Sequence, residues 1–170
     1  MESIAPTITT AFESRHYPGD NNITRCKYDK RNGGAYDEPC WECQEMAEFF
    51  KAKSWRELKG QELRRYGDND GLFTVEAYCF FLPGYLIAAI HEPEDLDVCR
   101  DHLTYRFGPM PDDLRGQHRL GEICTELTRP EIEALLCYFQ FAFRKDQDFD
   151  SYCERSIKNL EYALSVRSNP

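Results

Sequence analysis

Two cysteines, Cys40 and Cys43, are separated by two residues in the segment Cys40-Trp41-Glu42-Cys43. Pro39 precedes this segment and apolar residues follow it, so we expect a helix to begin near Pro39 and to continue to Lys51. Two thiols in the first turn of a helix lie on one face, where exposed amides and the helix dipole stabilise thiolates. The spacing is typical of a thiol redox pair or of half of a metal site.

Neither chemistry is complete in the local sequence. A thioredoxin-like pair follows a strand of a βαβ unit, whereas residues 28–39 contain two glycines among charges and are predicted to form a loop. A structural zinc site needs four ligands, usually from two Cys-x-x-Cys units, and this chain has one such unit. Cys26 and His16 would supply the third and fourth ligands, at a spacing that matches no familiar zinc finger. Simple packing of reduced cysteines is the third interpretation.

The other cysteines and the histidines indicate no further chemistry. Five cysteines lie among apolar residues, and we expect them to pack as small apolar side chains: Cys79, Cys99, Cys124, Cys137 and Cys153. The N-terminal residues do not resemble an export signal, which favours reduced thiols over a disulfide framework. The four histidines are dispersed, and HExxH, GxSxG, P-loop and dinucleotide-type glycine patterns are absent. The sequence therefore predicts no catalytic constellation.

Length, composition and charge limit the class of protein. The chain has 170 residues, of which 41% are hydrophobic, 14% aromatic and 30% charged, and its formal net charge is -9. These values predict a single compact soluble domain spanning residues 1–170. Negative charge repels nucleic-acid phosphates and anionic membranes, so we expect neither partner. The best interpretation is a cytoplasmic, non-enzymatic binding or regulatory protein with a protein partner and no cofactor; the alternative is a zinc-binding or thiol-redox protein centred on Cys40 and Cys43.

The elements that position these residues are predicted to be helices. Ser54 with Glu57, and Thr128 with Glu131, match capping boxes at helix starts, and Trp55 beside the first box is predicted to be a buried anchor. No run alternates between apolar and polar residues, so we predict a mainly α fold of about six or seven helices. The predicted helices lie at about residues 6–15, 40–51, 54–67, 74–90, 96–107, 129–143 and 149–164, with 108–118 as the longest loop.

The most apolar segment, Thr74–Ile90, is predicted to lie at the centre of the core. Pro83 and Gly84 interrupt it, and a proline removes one helical amide, so we predict a kinked pair of helices around Pro83. The kink is either a feature of the architecture alone or the opening of a binding groove. That groove would be lined by Tyr78, Phe81 and Tyr85, and the tyrosine hydroxyls would give it polar tips.

Three segments in the first half of the chain carry a likeness to other proteins. They are Ala11-Phe12 with Tyr17-Pro18-Gly19-Asp20 and Ile23, then 49–58 (FFKAKSWREL), then Glu76-Ala77-Tyr78 with 81–86 (FLPGYL). In order and spacing they resemble a family of small bacterial proteins catalogued as a domain of unknown function. The resemblance extends to about residue 90. It implies a shared framework for these segments and brings no activity, cofactor or site residue.

Overall fold

The computed structural model describes residues 4–27, 40–66, 71–96, 99–145 and 150–167. Within these ranges the chain forms nine α-helices, seven of them at least seven residues long, and no β-strand. Three short 3-10 helices span Asp20–Asn22, Arg25–Lys27 and Trp55–Glu57. The predicted mainly α class is confirmed. The helices are α1 Ala5–Ala11, α2 Trp41–Phe50, α3 Gly60–Arg64, α4 Val75–His91, α5 Pro93–Leu96, α6 Cys99–Phe107, α7 Leu114–Glu126, α8 Arg129–Lys145 and α9 Asp150–Arg167.

One contiguous core cluster includes buried side chains from all nine helices. Helix α4 packs against α1, α5, α7 and the Trp55–Glu57 turn, while α9 packs against α6 and α8. Phe50, Phe73 and Phe81 lie at the centre, with the ring centroids of Phe50 and Phe81 4.7 Å apart. Within the described ranges, no helix combines the length and the apolar character needed to cross a membrane.

The predicted pair of helices around Pro83 is wrong, because a single helix, α4, runs without interruption from Val75 to His91 with Pro83 inside it. Thr74 caps the helix, since its hydroxyl accepts a hydrogen bond from the amide of Ala77 at 3.0 Å. Pro83 removes a single amide from a helix whose side chains are buried on most sides. Packing of this buried helix against its neighbours outweighs the loss of one hydrogen bond.

Gly84 has a packing role rather than the role of a hinge. A Cβ atom at this position would lie 2.7 Å from the carbonyl oxygen of Trp55 and 2.9 Å from Cδ1 of Leu58. Those distances are shorter than normal van der Waals contacts. The missing side chain therefore allows the backbone of the Trp55–Glu57 turn to lie directly on α4.

We expect Gly84→Ala to lower the free energy of unfolding by about 1–3 kcal/mol, the usual effect of overpacking, although alanine favours a helix intrinsically. Gly121→Ala on α7 is the matched control, because nothing lies within 4 Å of a Cβ atom there. The control is expected to be neutral or stabilising by up to about 1 kcal/mol. Urea unfolding measures both variants. A Gly84→Ala protein as stable as the wild type would show that the turn can move away from α4 without loss.

The predicted helix at about residues 54–67 is divided in the structure. A 3-10 turn covers Trp55–Glu57, and α3 begins separately at Gly60. The capping box is confirmed: the Ser54 hydroxyl accepts from the amide of Arg56, and Glu57 accepts from the amide of Ser54 at 2.7 Å. The predicted helix end at Gly67 lies outside the described residues.

The loop predicted for residues 108–118 is wrong in its second half. Helix α7 begins at Leu114, and the Asp113 side chain caps it by accepting from the amide of Gly116 at 3.0 Å. This helix has a weak sequence signal because Gly116 and Gly121 both lower its intrinsic helix propensity. Burial of Leu120 and Ile123 against the core stabilises it instead.

Candidate metal and thiol site

The first part of the site is the Arg25–Lys27 turn, which carries Cys26. The segment before it is fixed to the start of α4: the amide of Thr74 donates to the carbonyl of Ile23 at 3.0 Å. The hydroxyl of Thr74 also donates to the carbonyl of Asn22 at 2.7 Å. Two hydrogen bonds to the N-cap of a buried helix hold this backbone in place, and Cys26 follows it directly.

The second part is the N-terminus of α2. Cys40 is the N-cap residue, and Cys43 lies in the first turn, as the sequence predicted. Met46 and Phe50, further along α2, are both completely buried in the core. They fix the helix, so the positions of both thiols are set by core packing.

These two parts bring three sulfur atoms together. The Cys26 Sγ atom lies 2.7 Å from Cys43 Sγ and 3.4 Å from Cys40 Sγ. All three sulfurs lie within 4.8 Å of one another. Cys43 is buried, Cys26 is half-buried and Cys40 is exposed, so the cluster is open to solvent on the Cys40 side.

The donor set suits a thiophilic metal ion. Thiolates are the preferred ligands of Zn²⁺ and Cu⁺. Zn–S bonds of about 2.3 Å in a tetrahedral site place sulfur atoms about 3.8 Å apart. The Cys26 sulfur is closer than that to both neighbours, at 2.7 Å from Cys43 and 3.4 Å from Cys40, so Cys26 and Cys43 would move apart by about 1 Å to share an ion. Three protein sulfurs leave one position of a tetrahedral ion to another ligand.

The three thiols differ in acidity because their surroundings differ. The pKa of Cys40 is lowered, chiefly because the backbone amide of Cys43 lies close enough to stabilise the thiolate. Burial raises the pKa of Cys43, and the neighbouring sulfurs of Cys26 and Cys40 raise it further. A metal ion at the cluster would therefore have to displace a proton from Cys43.

The remaining predicted ligand, His16, is not part of the cluster. Its side chain is exposed, and the group of clustered ligands in the described residues contains the three cysteines alone. The structure does not bring the predicted fourth ligand together with the three sulfurs. The sequence around His16 could not show whether this residue lies near the cysteines, because the relative positions of residues 16 and 26 depend on the fold.

The other five cysteines differ in burial. Cys79, Cys99 and Cys153 are buried in the core, which confirms the predicted packing role. Cys124 is half-buried, and burial raises its pKa to about 11. Cys137 is exposed on α8, so packing does not account for it. Its exposure makes Cys137 a useful control for reactions of Cys40.

The predicted aromatic groove is not open in this structure. Tyr78, Phe81 and Tyr85 are 3%, 0% and 4% exposed and belong to the core. Because α4 does not break at Pro83, nothing parts these rings from the helices around them. Two surface cavities, of about 490 and 570 Å³, lie elsewhere, against α7 with α9 and against α1 with α8.

Comparison with known proteins finds no match to a protein-family model, to a curated protein or to a solved structure. The resemblance of three segments to small bacterial proteins stays a prediction. The cysteine cluster is therefore interpreted from its own geometry and chemistry.

Proposed function

We propose that this chain is a metal-binding protein in which Cys26, Cys40 and Cys43 hold one thiophilic ion, with zinc as the first choice. The observation that supports it best is the convergence of three sulfurs from two separate segments within 4.8 Å. A pair of packed cysteines on one helix face would not need a third sulfur from another turn. Zinc would cross-link the Arg25–Lys27 turn and the start of α2.

Three protein sulfurs leave one coordination position open, a pattern that catalytic zinc sites share, so the proposed structural role rests on the joining of two separate segments of the fold by one ion. Cys43 lies at the core side of the cluster, and no described histidine or carboxylate joins the three sulfurs as a ligand. A bound ion would stabilise the folded state over the unfolded state, by about 2.7 kcal/mol at a free metal concentration 100 times the Kd. The affinity would fall as pH falls, since protons compete for the sulfurs.

The test is metal binding by the full chain. Reduced, chelator-free protein is titrated with Zn²⁺ and, in parallel, with Co²⁺, whose sulfur charge-transfer absorption reports thiolate ligation. We expect one ion per chain and a rise in melting temperature. Cys40→Ser and Cys43→Ser should each weaken binding by more than about tenfold, because even the loss of an outer-shell partner of a metal ligand costs about 10–100-fold in affinity.

Cys137→Ser is the matched control, because it removes an exposed thiol outside the cluster. It should bind zinc as the wild type does. Since Cys43 is buried and its replacement could disturb folding, the exposed position Cys40 provides the decisive variant. Zinc binding that is absent, or that survives Cys40→Ser unchanged, would contradict the proposal.

A role in binding a protein partner stays a prediction. The observation that favours it is the exposure of large apolar side chains, including Trp41 at 70% beside the cysteine cluster. Such residues are enriched at interfaces. A pull-down at low salt with wild-type and Trp41→Ala protein tests the idea, and a partner retained equally by both would exclude Trp41 from the interface.

A further inference from the structure

We propose that Cys40 is a site of oxidation by peroxides in this chain and that Cys26 then closes a disulfide with it. The inference rests on the proposed function, because the same sulfurs that would hold the metal become unavailable when two of them are joined. Metal binding would therefore depend on the redox state of the site. Geometry supplies the support: an exposed sulfur has a second, half-buried sulfur 3.4 Å away.

The chemistry consists of two displacements at sulfur. The Cys40 thiolate attacks one oxygen of hydrogen peroxide; an S–O bond forms, the O–O bond breaks, and hydroxide leaves. Cys40 is then a sulfenic acid. The Cys26 thiolate attacks Cys40 Sγ; an S–S bond forms, the S–O bond breaks, and a second hydroxide leaves. The two sulfurs lose two electrons to the peroxide, and the two thiol protons convert both hydroxides to water.

Access and proximity assign the two roles. Cys43 is completely buried, so a peroxide in solvent meets the exposed Cys40 first. Cys26 is within 3.4 Å of that sulfur, and a disulfide requires about 2.05 Å, which a small side-chain rotation supplies. Cys137 is also exposed to solvent but lies outside the cluster, on α8. Cys40 and Cys137 are thus both exposed, but only Cys40 has a thiol of the cluster, Cys26, close enough to form a disulfide with it.

The experiment uses the reduced, metal-free full chain with limiting hydrogen peroxide. We expect the loss of two titratable thiols per chain, with a disulfide between Cys26 and Cys40 identified by peptide mass spectrometry. Cys43 Sγ lies 2.7 Å from Cys26 Sγ, so thiol exchange would move the bond. The link is therefore also mapped in Cys43→Ser protein, where Cys26 and Cys40 should still pair.

Three variants decide the roles. Cys26→Ser should leave Cys40 as a sulfenic acid that dimedone traps. Cys40→Ser should remove the rapid loss of two thiols, and Cys137→Ser should leave it unchanged. The proposal is overturned if Cys40→Ser protein loses thiols at the wild-type rate, or if no disulfide forms within the cluster.

The outcome is separable from that of the metal test. Zinc binding by the reduced protein without a peroxide-induced disulfide overturns the oxidation proposal alone. A disulfide in a protein that does not bind zinc when reduced overturns the metal proposal alone. If both hold, peroxide added to zinc-loaded protein releases one zinc ion for each disulfide formed, as a chromogenic chelator would record.

Discussion

Replacing Trp55 with alanine is expected to lower the free energy of unfolding by ~3–5 kcal/mol, the usual loss for a large buried aromatic side chain. The ring is 3% exposed and belongs to the core cluster. The guanidinium of Arg56 lies over it at 4.1 Å from the ring centroid. Truncation would leave a cavity between the Trp55–Glu57 turn and α4, at the place where Gly84 allows the two backbones to meet.

The chain contains its own matched control, since its other tryptophan, Trp41, is 70% exposed. Trp41→Ala is expected to change stability by no more than about 0.5 kcal/mol. Chemical unfolding followed by far-UV circular dichroism measures both variants without relying on tryptophan fluorescence. Equal effects of the two substitutions would contradict the assignment of Trp55 as a core anchor.

The burial of Trp55 was predictable because its signal is local. Ser54 and Glu57 define the turn by hydrogen bonds across three residues, and a large aromatic residue inside such a turn has few positions other than the core. The signal of the Thr74 cap at the start of α4 is equally local, since its hydrogen bond joins residues three positions apart. Helix caps are formed by residues a few positions apart, so the local sequence pattern is enough to locate them.

Pro83 shows where local propensity fails. Proline lowers the stability of an isolated helix by about 3 kcal/mol, which predicts a break. In the structure the surrounding residues of α4 are buried, and this burial compensates for the lost hydrogen bond. The packing role of the neighbouring Gly84 depends on the Trp55 carbonyl. That contact joins residues 29 positions apart in the chain, so local propensity does not predict it.

The cysteine cluster was predictable in part. The spacing of Cys40 and Cys43 placed both at the start of α2. Cys26 was the predicted third ligand, but its spacing matched no known pattern, because its distance from α2 depends on the hydrogen bonds that join Asn22 and Ile23 to Thr74. Those bonds connect residues about fifty positions apart, and no periodic pattern encodes them.

A buried ion pair between Arg15 and Glu131 was not predicted at all, since 116 positions separate the two residues. Arg15 follows α1, and its Nε and Nη2 atoms donate to the two oxygens of Glu131 at 2.6 and 2.8 Å. Glu131 also accepts from the amide and the hydroxyl of Thr128 at 2.7 and 2.9 Å. The predicted capping box is therefore half confirmed: Glu131 reaches back, whereas the Thr128 hydroxyl donates to it.

Geometry and burial make this pair a strong one. The two side chains are 10% and 3% exposed, and Arg15 also contacts Glu126 at the end of α7 at 3.0 Å. Burial by itself would raise the pKa of Glu131, but hydrogen bonds from Arg15 and Thr128 outweigh burial and lower it. The guanidinium thus joins α1 to the corner between α7 and α8.

We expect Glu131→Gln to lower the free energy of unfolding by about 3 kcal/mol, the smaller end of the range for breaking a buried ion pair. The loss is at the smaller end because Glu126 continues to neutralise Arg15. Glu133→Gln is the matched control on the same helix; its pair with Arg129, at 2.9 Å, has both side chains more than half exposed. That substitution should cost less than about 1 kcal/mol.

The pH dependence distinguishes the lost charge from a change in packing. A carboxyl group whose pKa is lowered by folding contributes stability above its unfolded pKa, near 4.5, and this contribution disappears as the pH falls through the folded value. The difference in stability between wild type and Glu131→Gln should therefore be constant at neutral pH and should shrink as the pH falls below about 4.5. Urea unfolding at a series of pH values measures it. If the difference in unfolding free energy stayed constant below pH 4.5, Glu131 would stabilise the corner by packing and not by its charge.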